Sequence, residues 1–281
     1  MTLKSSVKKM TPKRVWNFLR HYQAIVKDRI MNGGSALCHI PYCGYDLWYG
    51  AGDILIKKIR PSRIFEEKMC KAITSELPPS GAVFLDVGAN IGLISLYVAS
   101  HAPGTCIYAF EPGPQQHRYF AMTIQKNALS HRITLSPQAL GNKEGMVQFI
   151  THFSPDSSGD GFFDTGRAGE PIPVDVQMIT FDLWWKRAGK PRVDVMKLDT
   201  EGSELWILEG ATEFLENVRP VLFLEIEPKN LVVYPHTRDD ILVWLQQHKY
   251  SLFTLGGEEC TRENFASFIG RYDTYVARPE R

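Results

Sequence analysis

From Gly81 onward the chain alternates short apolar runs with stretches of helical periodicity. AVFLDVG, TCIYAFEP and ITLSPQAL are short runs typical of buried strands, and between them lie IGLISLYVASH and PQQHRYFAMTIQKNAL, which repeat at helical spacing. Strand–helix–strand alternation of this kind builds a parallel sheet, because each helix carries the chain back to start the next strand in the same direction. The pattern continues with MVQFITH, the strand VDVQMI and a short helix over 181–187. Two more buried strands, VDVMKLD and PVLFLEIE, flank the helix ELWILEGATEFLENV, and a helix over 239–248 and strands over 250–255 and 272–278 close the chain. The expected fold is α/β, a doubly wound sheet. Residues 154–169 are rich in Gly, Ser and Asp and read as a loop within the domain. That loop carries Phe162 and Phe163, which a purely solvated loop has little reason to expose, so it is expected to close over bound ligands.

The first 64 residues follow no such rhythm and are expected to form an N-terminal helical extension to a domain over 65–281. Val15, Phe18, Leu19, Tyr22, Ile25 and Val26 recur at helical spacing and predict a helix over 15–31, flanked by Lys and Arg. The simplest reading is a helix docked on the body; peripheral contact with a membrane surface is the alternative. Cys38, His39 and Cys43 lack a second Cys/His pair at zinc-site spacing and read as buried or loop residues.

Composition narrows the classes. With 32 Lys+Arg against 31 Asp+Glu, the 281-residue chain carries a formal charge of +1, which argues against a general nucleic-acid binder. Five cysteines form no paired framework and fit a reducing compartment. No apolar window is long enough to span a bilayer, and the basic start lacks the apolar run and cleavage site of a signal peptide, so a cytoplasmic protein is expected.

In open α/β sheets ligands lie outside the carboxyl ends of the strands, where the strand order reverses. The first strand of the alternating region ends in Asp86-Val87-Gly88-Ala89-Asn90-Ile91-Gly92, and the next in Glu111-Pro112. A glycine turn followed by an acid on the second strand suits a nucleoside, because Glu111 can accept both ribose hydroxyls. The G-x-G-x-x-G spacing of dinucleotide sites fails, since counting from Gly88 the second and third glycines are replaced by Asn90 and Leu93. Asp86 would repel a pyrophosphate but suits a ligand with an ammonium and a sulfonium, which is S-adenosyl-L-methionine. Asn90 is tolerable because Asn, after Gly, best accepts a left-handed backbone.

VFLDVGANIG, YAFEP, the Ala139-Leu140-Gly141…Gly145 segment, ITFDLWW and above all MKLDTEGSELWILEGA followed by LFLEIEP resemble the FkbM-type S-adenosylmethionine-dependent methyltransferases. The resemblance runs from about residue 65 to 255. It implies a Rossmann-like class I methyltransferase fold and O-methyl transfer to a hydroxyl of a sugar, a polysaccharide precursor or another natural product. It also implies that Asp86, Gly88, Asn90 and Gly92 form the glycine turn, that Glu111 is the ribose-binding acid, and that Gln138 and Ala139 lie at the adenine edge.

The block Lys197-Leu198-Asp199-Thr200-Glu201-Gly202 is the strongest part of the likeness. Period-2 alternation puts Lys197 and Asp199 on one side of their strand, at the end where donor and acceptor meet; they are candidate catalytic residues, with Glu201 of the same block a further one. A plainer reading has Asp199 and Thr200 capping the following helix, with Glu201 and Glu204 favouring its positive end. Glu225 and Glu227 end the next strand and, with Asp199, could hold Mg²⁺. His152 borders the 154–169 loop and is a lesser candidate for the base, while His101, His117 and His131 read as surface residues. Two other functions stay open on the residues: a nicotinamide-dependent oxidoreductase or epimerase on the same sheet, and a non-catalytic cofactor-binding protein.

Overall fold

A computed structural model of the chain describes residues 37–50, 55–59, 64–152, 159–166 and 170–280. The chain divides into two compact units, 1–36 and 37–281, and the described residues all belong to the second. The helix expected over 15–31 lies outside them.

The centre of this unit is a seven-stranded sheet. In chain order its strands are β3 (Val83–Val87), β4 (Cys106–Phe110), β5 (Ile133–Ser136), β9 (Val195–Leu198), β10 (Val221–Glu225), β11 (Tyr250–Thr254) and β12 (Thr274–Pro279), and across the sheet the order is β11-β12-β10-β9-β3-β4-β5. The strands from β10 to β5 run parallel, and β12 and β11 close one edge antiparallel. From β3 the chain winds outward through β4 and β5, then returns to lay β9 on the other side of β3. The strand order therefore reverses between β3 and β9, which is where a doubly wound sheet opens a crevice at its carboxyl edge.

The sheet is buried on both faces, as the unbroken apolar strands predicted. Leu85, Val87, Met196, Leu198, Leu222 and Leu224 pack into the core on one face, and Phe84, Ala109, Val195 and Phe223 into the core on the other. On the second face lies α3 (Leu93–His101), apolar nearly all round, with α4 (Pro114–Lys126) on the same side. Short α1 (Leu55–Ile59) and α2 (Glu67–Glu76) also join this core. The hairpin β1 (Leu37–Tyr42) and β2 (Tyr45–Gly50) belongs to it too, although it precedes the boundary expected at 64/65. Tyr42, Leu47 and Tyr49 are buried there, and the Trp48 amide donates to Thr123 Oγ1 on α4 at 2.9 Å. Cys38 and His39 stand in β1 and Cys43 in the hairpin turn; His39 stacks on Trp48.

Two features depart from the sequence reading. MVQFITH and VDVQMI do not extend the main sheet: β7 (Gly145–His152) and β8 (Pro171–Ile179) pair antiparallel, and with β6 (Ala139–Leu140) form a separate three-stranded sheet. The helix expected across ELWILEGATEFLENV is two helices, α6 (Glu204–Glu209) and α7 (Thr212–Val218). The break falls at Gly210, where a Cβ would meet the Gly141 carbonyl oxygen at 2.0 Å, so the chain can pass only as glycine. Asp182, in α5 (Phe181–Arg187), then accepts from the free Glu213 and Phe214 amides at 3.0 and 2.8 Å and starts the new helix. The short α8 (Pro228–Leu231) and α9 (Arg238–Gln247) complete the helices. No helix among the described residues is long and apolar enough to cross a membrane.

Candidate active site

The crevice at the switch point is a cavity of about 270 Å³, walled by the ends of β3, β4, β6, β9 and β10. Its described lining holds seven carboxyl side chains, Glu66, Glu111, Asp160, Asp199, Glu201, Glu225 and Asp273, against the single cation Lys197. Apolar walls come from Phe110, Leu140, Phe149, Phe162 and Ile207. A cleft so dominated by one sign repels pyrophosphate and attracts a cationic ligand.

The turn after β3 is built as its residues predicted. Gly88 has φ 75°, and a Cβ there would meet the Asp199 carbonyl oxygen at 1.8 Å, so β3 and β9 can close up only with glycine at this point. Asn90 takes the left-handed conformation at φ 50°. The Gly88 and Ala89 amides both donate to the Phe110 carbonyl at 3.0 Å and bolt the turn to the end of β4. Gly92 is not on the cavity; it precedes α3 and packs against the Phe120 ring.

Glu111 is buried and faces the cavity, with its two oxygens held by the Asn90 amide at 2.8 Å and the Gly113 amide at 2.7 Å. Once ionised, each oxygen keeps a second lone pair for a ligand hydroxyl. Burial pushes its carboxyl up to about 8, against the downward pull of those two amides. The unfolded chain releases this proton near the ordinary value of 4.5, so between there and pH 8 ionisation draws stability from the folded state. Urea titrations should therefore show the parent losing about 1–3 kcal/mol relative to Glu111→Gln on going from pH 5 to pH 8. A difference independent of pH would mean that Glu111 titrates as an ordinary carboxyl.

Asp86 requires a correction. Its carboxylate is fully buried and does not line the cavity, so it does not meet a ligand's ammonium or sulfonium directly. Register explains why: Asp86 on β3 lies directly opposite Lys197 on β9, and both side chains point into the face covered by α3. Ser95 Oγ of α3 donates to Asp86 Oδ2 at 2.6 Å, and Lys197 Nζ lies 3.2 Å from Asp86 Oδ1. Lys197 Nζ also donates to the Gly88 carbonyl at 3.2 Å and reaches Asp199 Oδ2 at 3.3 Å. Three donors meet three acceptors, so the ammonium is satisfied although buried. Burial alone would lower its pKa, but Asp199 and Asp86 outweigh this and hold it well above the ordinary value. Lys197 is thus a buried cation paired with Asp86 and Asp199.

Asp199 directly follows β9, with its side chain partly exposed and lining the cavity. It caps no helix, contrary to the plainer reading. The turn after it is organised by Glu204, a buried acid whose Oε1 accepts from the Thr200 amide at 2.8 Å, Thr200 Oγ1 at 2.9 Å and the Gly202 amide at 3.4 Å. Burial pushes Glu204 up to about 7. This turn places Glu201 at φ 58°, a left-handed conformation uncommon for Glu, and brings it to the cavity beside Asp199.

The acidic cluster differs from the expected trio. Asp199, Glu201 and Glu225 offer oxygens within 4.8 Å of one another, whereas Glu227 turns away to cap α8, accepting from the Lys229 amide. Burial, then the charges of Asp199, Glu201 and Glu204, push Glu225 well above the carboxylate range. Gln138 and Ala139 line the cavity, but the Gln138 amide is tied to Ser136 Oγ at 3.3 Å and Gln177 Oε1 at 3.2 Å. His152 has both ring nitrogens on carboxylates and is no free base. His101 and His131 are exposed as expected, while His117 is half-buried. Glu66, Asp160 and Asp273 escaped the sequence reading; only Asp160 carried a signal, its place in the loop with the two phenylalanines.

A buried acid follows β4, an acid-lined crevice opens at the switch point, and a partly exposed carboxylate stands at its edge. The chain belongs to the methyltransferase FkbM domain family, whose model matches residues 86–252. It is similar to the 31-O-demethyl-FK506 methyltransferase FkbM of Streptomyces tacrolimicus, at 39% identity over 168 residues, covering 49% of this chain and 62% of that protein. It is also similar to the AMB antimetabolite synthetase AmbE of Pseudomonas aeruginosa, at 69% identity over 237 residues, covering 72% of this chain but 11% of that protein. The chain thus spans less than two thirds of either relative. Among solved structures, methyltransferase FkbM of Methylobacillus flagellatus shares 16% identity with a TM-score of 0.45, covering 71% of this chain and 44% of that one. Membership in a methyltransferase family implies S-adenosylmethionine as donor and sets aside the oxidoreductase and non-catalytic alternatives.

Proposed function

We propose that the protein transfers a methyl group from S-adenosylmethionine to a hydroxyl of a sugar, polysaccharide precursor or other natural product. The observation that carries this reading is the Lys197–Asp199 pair at the switch point: a carboxylate held at the cavity edge by a buried cation, suited to take a hydroxyl proton. The residues fit the donor, since Glu111 presents two lone pairs toward two hydroxyls and the acid-lined wall favours a positive charge. When bound, the donor supplies an electrophilic methyl on a sulfonium. Glu111 would hold the ribose, with Ala139 and Leu140 beside the base. Asp199 would accept the proton as the acceptor oxygen bonds the methyl carbon and the carbon–sulfur bond breaks, with its electron pair passing to sulfur. Glu201, one turn residue away, would orient the acceptor.

A second reading follows from the trio Asp199, Glu201 and Glu225, whose spacing suits an oxygen-ligated Mg²⁺ that would acidify the acceptor hydroxyl. The test is a panel of sugar and polyol acceptors incubated with methyl-labelled donor, with the product bond identified by NMR. The expected product carries the label on oxygen; label on nitrogen or carbon would overturn the assignment. Adding a chelator separates the two readings, since only the metal-assisted route should stop and recover on return of Mg²⁺.

A further inference from the structure

We infer that His152 is a positioning residue for the acceptor side of the site, its imidazolium spanning two carboxylates and so fastening residues 159–166 across the cavity mouth with Asp160 facing inward. The inference rests on the methyl-transfer reading for its consequence, but its geometry stands apart from it.

His152 ends β7 and is buried. Its Nδ1 lies 3.0 Å from Asp160 Oδ1, and its Nε2 lies 3.4 Å from Asp164 Oδ1. Carboxylates only accept, so both contacts are satisfied together only by the doubly protonated ring; either neutral tautomer sets a lone pair against an oxygen. Burial pulls the imidazolium down, but the bonds and charges of Asp160 and Asp164 outweigh it and hold the group above its ordinary value. Among the described residues those two carboxylates are the charged groups paired with the ring, while opposite His152 on β8 stands Pro171, which brings none.

The segment so held covers the chemistry. Gly161 exchanges backbone hydrogen bonds with Ile150 at 2.7 and 3.0 Å, and a Cβ on it would lie 3.5 Å from the Glu201 Cβ. Asp160 and Phe162 line the cavity, and Phe162 packs between Phe149 and Trp206 at 5.8 and 5.9 Å. A neutral ring can donate to only one of Asp160 and Asp164, so losing its second proton breaks one of the two ties and the segment would loosen. The sign follows: the latch is complete below the ordinary histidine value of about 6.5 and is lost as pH rises through the higher folded value.

The test uses the full-length, cofactor-free protein. A histidine-selective NMR titration should place His152 above the ordinary value, and Asp164→Asn should lower it. Hydrogen exchange of residues 159–166, divided by intrinsic rates, should show protection that falls at least threefold across that titration. In His152→Gln protection should be low at every pH, and in Asp164→Asn the fall should come at lower pH. The KM for the hydroxylated acceptor found in the panel should rise over the same interval, with donor affinity unchanged. A panel without turnover would count against methyl transfer and leave the NMR and exchange results to judge the latch. A His152 that titrates at or below the ordinary value, or protection with the same pH profile in both variants, would overturn it; Asp164→Asn keeps the test open should His152→Gln fail to fold.

Discussion

Replacing Asp199 by Asn should lower kcat by about 10²–10⁴, the range for loss of a general base, while changing donor affinity no more than a few-fold. The side chain keeps its shape and one oxygen for Lys197, and it caps no helix, so stability should stay near that of the parent. Single-turnover measurements with saturating donor would place the loss in the chemical step. A variant that turns over at close to the parent rate would make the carboxylate structural and pass the search to Glu201, which shares its wall of the cavity.

The second large effect concerns stability. Lys197→Met should destabilise the protein by about 3–5 kcal/mol, because it strands the buried Asp86 carboxylate without its countercharge. Adding Asp86→Asn to that variant should recover part of the loss, since an amide costs far less to bury than an unpaired charge. Urea unfolding of the parent, the single and the double variant measures both. A single-variant loss under about 1 kcal/mol would show that the pair is not what keeps β3 and β9 satisfied.

Local pattern made much of this site legible. Continuous apolar runs gave the parallel strands, and alternation within MKLD set Lys197 and Asp199 on one side, where they lie 3.3 Å apart. The acid after β4 gave Glu111, and the glycine turn gave Asn90, whose amide holds it; the Gly113 amide was not legible in the sequence. What escaped depended on partners distant in the chain. The Asp86–Lys197 pair joins residues 111 apart through strand register, which no local pattern encodes, so Asp86 read as a ligand group when it is the anchor of Lys197. The break at Gly210 comes from the approach of Gly141, and the swap of Glu227 for Glu201 in the acidic trio comes from a left-handed turn organised by Glu204. His152 read as a lone histidine because its carboxylates sit in a loop with no periodic signal.

If the acid-lined crevice around Glu111 is the donor site, calorimetric titration of the parent and Glu111→Ala will show it. The parent should bind S-adenosylmethionine and its demethylated product at micromolar affinity and show no heat with NAD. Glu111→Ala should weaken donor binding by about 1–3 kcal/mol, roughly 5- to 150-fold, as expected for hydroxyls left without a buried partner. Binding of NAD without S-adenosylmethionine, or an unchanged donor affinity in Glu111→Ala, would contradict the account.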